Sequence, residues 1–464
     1  MPKLAGIDVG TSACKAVLID GQGRLVASSS RAYPLSTPAA GWAEQDPEDW
    51  AAAAEQCLAD LGERPDAIAF TGQMHGSVFL DAAGEVVRPA LLWCDQRTER
   101  ECQELLERAG ASLGETTLNT VSPGFQAPKV LWLRNSEPER FARVRDVVFP
   151  KDYVQHRLGG PLTTEASDAS GSGLFDTGRR TWSPALIEAV GLDPGLFPRC
   201  REPGERLTEG ETMFVAGAGD QPAGAVGVGA TRPGRVGLSL GTSGVAFTAM
   251  NSAPEAAHPA VNCFCHADRR WLRLGVMLGC GGSLSWARQA FFGGMDFDQI
   301  TAIAEAAKWS DDGPVFLPYV SGERCPVVAP GATASLLGLR ASHDPGDVAL
   351  AAFVGVSCGL MECYSLVGGG SGELYLTGGG ATSSFWCQLL ADAAGVACLV
   401  PEMDEGPAYG AALLAGVGLG IWPDSDSAAR ATMRIAKEFR PSGRDFGPQL
   451  ARFAELRSVS LGSD

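Results

Sequence analysis

The segment GIDVGTSACKAV, Gly6 to Val17, returns in altered form as GLSLGTSGVAFT, Gly237 to Thr248. In both, an apolar, β-branched run breaks at Gly-Thr-Ser and resumes, the pattern of two strands joined by a small-residue turn rather than of a helix. Gly6 aligns with Gly237, Asp8 with Ser239, Gly10 with Gly241, Thr11 with Thr242 and Ser12 with Ser243, a repeat at half the length of the chain. A repeat at that period predicts two domains of related topology, each opening with its own hairpin. GVGATRPGRVG, Gly227 to Gly237, is the junction, which divides the chain into residues 1–230 and 231–464.

Length and charge bound the rest. A chain of 464 residues is long for one core and suits two domains. With 37 basic against 54 acidic residues, its net charge of -17 disfavours a nucleic-acid surface or an anionic membrane as partner. The thirteen cysteines are spread through a chain that opens MPKLAGID, so reduced thiols in the cytoplasm are expected. Cys263, Cys265 and His266 cluster within VNCFCHA, but no second ligand pair stands at zinc spacing, and the alternation reads as a strand. The apolar stretch DVALAAFVGVSCGLMECYSLV, Asp347 to Val367, reads as a helix too polar and too short to span a membrane.

Elsewhere the pattern is α/β. WAAAAEQCLADLG reads as a helix ending at Gly62, AIAFTGQMHGSVFLD as strand, turn and strand, and ELYLTGGGATSSFWCQLLADAAG as strand, glycine turn and helix. FVAGAGDQPAGAVGVGA, Phe214 to Ala230, reads as a strand followed by a closely packed helix with Asp220 at its start.

A glycine turn lets the backbone approach a phosphate, and its N–H groups with Thr and Ser hydroxyls donate to phosphate oxygens. Neither copy has the GxxxxGK[ST] spacing of a P-loop. One such turn is an ordinary tight turn; two in register, joined by the glycines at Thr377 to Ala381, point to three loops around one nucleotide. Asp8 stands two residues ahead of the first turn, where a carboxylate can hold Mg²⁺, directly or through water, against a transferred phosphate. The second copy has Ser239 there, so the acceptor substrate belongs on the first domain's side. Lys15 can add charge to the phosphates or serve as an ordinary surface lysine.

Asp220 can accept the proton of a substrate hydroxyl as it attacks the γ-phosphate, though Asp is also favoured at such positions as a helix cap. In TGQMHGS, Gln73, Met74 and His75 share a glycine-bounded turn that can meet a sugar, His75 bonding a hydroxyl and Met74 packing on its carbon face; a structural histidine is the competing reading. LLWCDQRT sets Trp93, Asp95 and Arg97 at a strand end that can border a polyol site.

These motifs, together with WAEQDPEDW, PGFQAPKVLW, FPKDYV, GAGDQPAGAVGVG and EGPAYGAALLA, run in order from Asp8 to about Ala415 and resemble the FGGY family of carbohydrate kinases. GQMHG is the piece most similar to the family's xylulokinases. The resemblance implies a pair of ribonuclease-H-like, actin-like ATPase domains with MgATP in the cleft between them and a small sugar, D-xylulose, as acceptor through its 5-hydroxyl. It also implies a homodimer.

Carried over position by position, it makes Asp220 the proton acceptor and Asp8 the residue near the metal. It places Met74 and His75 at the sugar, to which the reading of the turns and strand ends adds Gln73, Trp93 and Gln221. Thr11, Ser12, Thr242 and Ser243 fall at the phosphates, beside Gly10, Gly241 and Lys15 of the same turns, and Gly379, Gly380 and Ser384, bordered by Gly281 and Ser285, at the nucleoside. Xylulokinases commonly have Asn after the catalytic Asp, where this chain has Gln221 followed by Pro222. The extra methylene leaves the same chemistry on another ketose or polyol, such as ribulose, 1-deoxyxylulose or a tetrulose, as an alternative. A non-kinase actin-like ATPase is the more distant one, since one fold hosts many functions.

Overall fold

In the computed structural model, which describes residues 1–370, 372–403 and 405–462, both Gly-Thr-Ser segments are antiparallel hairpins at the heart of two sheets. The first sheet contains β1 (Lys3–Val9), β2 (Ala13–Asp20), β3 (Leu25–Ala32), β4 (Ala67–Gly72) and β5 (Met213–Gly219), in the order β5-β4-β1-β2-β3. The second contains β6 (Arg235–Leu240), β7 (Gly244–Met250), β8 (Asn262–Cys265), β9 (Trp271–Met277), β10 (Glu373–Thr377), β11 (Cys398–Pro401) and β12 (Ile435–Phe439), in the order β8-β9-β7-β6-β10-β11-β12. Omitting the added edges β8 and β12, the two have the same plan. An antiparallel three-strand meander continues through two parallel strands, with β1 corresponding to β6 and β4 to β10. The repeat in sequence is therefore a repeat in topology.

The turns differ in one respect that alignment hides. Val9 pairs with Cys14 across the first turn, but Leu240 pairs with Gly244 across the second, which is one residue shorter. Gly10 N–H reaches Ala13 O at 3.1 Å, whereas Gly241 N–H reaches Ser243 O at 3.2 Å.

Helix α1 (Pro47–Asp60), capped by Asp46 and led by Pro47, covers one face of the first sheet with Trp50, Ala54 and Cys57. The other face is covered from far along the chain by α8 (Pro407–Leu419), whose Ala408, Ala411, Ala412 and Leu414 pack on Leu4, Ala67, Ala69 and Val215. Leu413 and Leu414 are fully buried, each contributing about 1.5–3 kcal/mol over an exposed side chain. The boundary at 230 separates the strands of the two sheets but not their packing: residues 407–419 belong to the first sheet's core although they follow every strand of the second sheet except β12. Between the sheets lies α3 (Asp220–Gly227). Its Ala223 and Val226 face the first core, while Ala225 and Val228 just beyond it join Phe247 and Leu272 of the second. At the α3–α8 crossing a Cβ on Gly410 would fall 1.8 Å from Ala223 O, so the helices meet backbone to backbone.

The second core centres on α6 (Pro345–Leu366), packed with α7 (Ser384–Ala394). At 22 residues α6 is long and apolar enough to cross a bilayer, contrary to the reading of its sequence. Most of its apolar stretch is instead buried inside the domain.

Candidate active site

Asp220 owes its position to a bulge. Between Val215 and Ala218 the register of β5 against β4 shifts, and a Cβ on Gly217 would fall 1.7 Å from Phe70 O, so glycine is required where the strand bends out of the sheet. Gly219 then caps α3, its N–H donating to Ser167 Oγ at 2.9 Å, and Asp220 follows as the first helical residue. Asp220 is thus not the helix cap. Burial raises its carboxyl to about 6, offset by the backbone N–H and side chain of Gln221.

A cavity of about 260 Å³ opens in front of Asp220, lined by Thr11, Met74, His75, Trp93 and Gln221 from the first domain and by Ser243 and Phe264 from the second. His75 has φ +68°, an unusual conformation for a residue with a side chain. Two contacts hold it there: Lys129 Nζ, which also bonds Gly124 O, donates to His75 O at 2.9 Å, and the ring's Nδ1 faces Gly171 O at 2.9 Å. Facing a carbonyl, Nδ1 carries the proton, which leaves Nε2 as an acceptor. Burial, then the charge of Lys129, lowers His75 to about 3, so the ring is neutral. Phe125 and Phe264 flank it at 4.8 and 5.6 Å.

A second, larger cavity of about 610 Å³ lies in the C-terminal half. It gathers Gly241, Thr242, Gly281, Ser285, Gly379, Gly380 and Ser384 with Phe297, Asp298 and Glu305 of α5 (Phe297–Ala306). Helix α4 (Gly281–Phe292) starts against the second hairpin, Gly281 N–H donating to Gly241 O at 3.0 Å and Gly282 N–H to Thr242 O at 2.9 Å. Thr242 lines this cavity and its neighbour Ser243 the other, so the tip of the second hairpin is the wall between them.

Other residues fall outside both cavities. Gln73 is buried one layer back, its amide reaching Gln45 Oε1 at 3.2 Å and Gly10 O at 3.4 Å, so it braces the first hairpin. Asp95 and Arg97 form a buried ion pair at 2.7 Å, Arg97 also pairing with Glu44 and covering the Trp42 ring; of that stretch only Trp93 reaches the cavity. Lys15 pairs with Glu405 at 2.7 Å. Gly10 and Ser12 shape the first turn without lining either cavity: Gly10 O accepts from the Tyr33 hydroxyl and Ser12 O from Tyr33 N–H.

Asp8, one residue before the end of β1, has its Oδ1 sealed from solvent and without a hydrogen-bond partner. Burial first, then the charge of Asp220, raises its carboxyl to about 7 despite Lys15. A divalent cation beside it would relieve both penalties, so the residues present fit Mg²⁺. Among the described residues no group of three or more His, Cys, Asp or Glu is gathered to hold a metal. Cys263 and Cys265 lie on strand β8 and, with His266, are buried.

Sequence reasoning missed Phe125, Asn262, Phe264 and Arg324 in the smaller cavity and Phe297, Asp298 and Glu305 in the larger. PGFQAPK contained the signal for Phe125; nothing local marked the rest.

Comparison with known proteins agrees with this architecture. Residues 4–228 match the N-terminal domain of the FGGY family of carbohydrate kinases, and residues 236–419 its C-terminal domain. The chain is 38% identical to the xylulose kinase of Escherichia coli (strain K12), over 89% of each chain. It is 36% identical to that of Klebsiella pneumoniae over 98% of each. The crystal structure of the ligand-bound xylulose kinase from Lactobacillus acidophilus superposes with a TM-score of 0.93 at 26% identity, covering 100% of this chain and 99% of that one. Two matching domains in order, with a cleft holding a carboxylate between two glycine hairpins, leave one conclusion: the chain belongs to the FGGY family of carbohydrate kinases and is an ATP-dependent sugar kinase.

Proposed function

We propose that the protein transfers the γ-phosphate of ATP to the 5-hydroxyl of D-xylulose, giving D-xylulose 5-phosphate and ADP. The observation that carries this reading is the pair Thr242 and Ser243, neighbours in the chain that face different cavities. Adenosine in the larger cavity and sugar in the smaller one bring the phosphate chain across the hairpin tip, between Thr242 and Ser243 on one side and Thr11 on the other. The xylulose kinases among the relatives support the choice of sugar.

Asp220 accepts the hydroxyl proton as the sugar oxygen bonds to phosphorus and the bond to the β,γ-bridging oxygen breaks. A carboxyl raised to about 6 is ionised at neutral pH yet basic enough to share that proton. His75 Nε2 accepts from another sugar hydroxyl, and Met74 with Phe264 covers the carbon face. Asp8 would hold Mg²⁺, which when bound neutralises charge on the transferred phosphoryl group. Positioning and charge neutralisation supply most of the barrier reduction.

The test is ADP release with MgATP against D-xylulose, D-ribulose, L-ribulose, L-xylulose, 1-deoxy-D-xylulose, erythrulose and glycerol. Fastest turnover on D-xylulose is expected. A different winner relocates specificity to Gln221, which lines the smaller cavity beside Asp220. Silence across the panel with intact ATP binding overturns the reading. The proposal extends to a cytoplasmic homodimer, checked by light scattering.

A further inference from the structure

The smaller cavity is closed from the second domain by a loop fastened through Glu323. That carboxylate, 1% exposed, accepts the N–H groups of Leu278 at 2.6 Å, Gly279 at 3.3 Å and Arg324 at 2.8 Å. Glu323 also exchanges two backbone hydrogen bonds of 2.9 Å with Ala329. The loop is thereby tied both to the end of β9 and to itself, so Arg324 stands on a rigid base. Its side chain lines the same cavity as Asp220, Met74, His75, Asn262 and Phe264. Among the described residues its guanidinium makes no ion pair and no hydrogen bond, though Glu323 is its chain neighbour.

We infer that Arg324 is a specificity-determining residue which, from the second domain, donates to the carbonyl oxygen of an open-chain ketose held in the cavity. This rests on the ketose reading above. A guanidinium has five donors and no acceptor, and a sugar hydroxyl can serve either way. The ketose carbonyl is the one oxygen of the substrate that only accepts, so it complements a donor-only group. With the attacking 5-hydroxyl at Asp220 the C2 carbonyl is left for a partner elsewhere in the cavity, and Arg324 reaches that cavity from the second domain. Arg324 is exposed and free to turn into the cavity, and a hydrogen bond from a charged donor is stronger than one between neutral groups. Because Asp220 and His75 belong to one domain and Arg324 to the other, a ketose spanning the cavity links the two and favours closure.

The experiment compares the full-length wild type with Arg324→Gln and Arg324→Lys. It reads KM for D-xylulose, Ki for xylitol (the same carbon chain with the carbonyl reduced), KM for ATP and Tm. Arg324→Gln is expected to raise KM for D-xylulose about 10- to 100-fold, the range for a hydrogen bond to a charged group. Xylitol Ki should rise several-fold less than that KM, because the hydroxyl at its C2 can also be satisfied as a donor elsewhere in the cavity. ATP KM and Tm should hold, and Arg324→Lys should recover part of the affinity. A D-xylulose KM within twofold of wild type, or xylitol weakened in parallel, overturns the inference. Wild-type silence on D-xylulose with activity on another ketose overturns the choice of sugar alone, and the comparison is then run with that ketose and its alditol.

Discussion

Trp93 Nε1 donates to Thr11 Oγ1 across 2.9 Å, and that hydroxyl in turn points to Gln73 Oε1 at 3.4 Å. The wall of the proposed sugar cavity is thereby joined to the tip of the first hairpin, with Trp93 still 44% exposed to the cleft. Trp93→Phe keeps most of the ring and removes the donor. Steady-state kinetics should show kcat/KM for sugar falling about three- to tenfold, the scale of one neutral hydrogen bond. A Tm within about 2 °C of wild type would follow from so exposed a position.

Asp220→Asn keeps the shape of the side chain and removes the proposed base. Sugar phosphorylation is expected to fall about 10²–10⁴-fold, with nucleotide affinity by titration calorimetry nearly unchanged. In the wild type the carboxyl must be ionised to act, so kcat/KM should decline as pH drops below about 6. A flat profile down to pH 5 would remove Asp220 as the base.

Asp8 gives a prediction with a definite sign. Its folded carboxyl is raised to about 7 from an ordinary value of 3.8, so the folded state holds a proton the unfolded chain has released across that interval. Folding stability is therefore lost as pH rises from about 4 to 7. Asp8→Asn should abolish most turnover, yet melt several degrees above the ligand-free wild type at pH 8, with the gap closing towards pH 4.

His75 should bear on sugar rather than ATP. His75→Ala is expected to raise KM for sugar at least about tenfold while KM for ATP moves little, as for loss of a hydrogen bond and its packing. Because its value is lowered to about 3, His75 stays neutral and should add no limb to the pH profile between 5 and 8.

Gln221→Asn shortens by one methylene an amide that lines the proposed sugar cavity. Relative kcat/KM among the ketoses of the panel should change by about 10-fold or more, a typical worth of one misplaced methylene, with kcat for ATP hydrolysis without sugar unaltered. An unchanged ranking would show that Gln221 does not set the preference.

The two hairpins, and with them the shared sheet plan, could be read along the chain because each is a local pattern of strand, glycine and strand. Asp220 could be read because strand, bend and helix follow one another within a few residues. Asn262, Phe264 and Arg324 could not: they reach the cavity from the other domain, through the way β8 and the loop after Pro318 lie across the cleft. Gln73, Asp95 and Arg97 look like site residues because they sit beside true lining residues, yet their side chains turn inward to brace the hairpin or to pair with each other. The length of the second turn was equally hidden, since Gly-Thr-Ser is the same in both and only the pairing of Leu240 with Gly244 distinguishes them.

Helix α8 has a consequence for how the protein is made. Leu4, Ala67, Ala69 and Val215 are synthesised early, but the side chains that bury them, Ala408 to Ala415, emerge from the ribosome only after six strands of the second sheet. The first domain of the nascent chain must therefore wait with one apolar sheet face uncovered until most of the second domain has been made, and a product stopped at residue 400 would present that face to chaperones and proteases rather than fold as a half-enzyme.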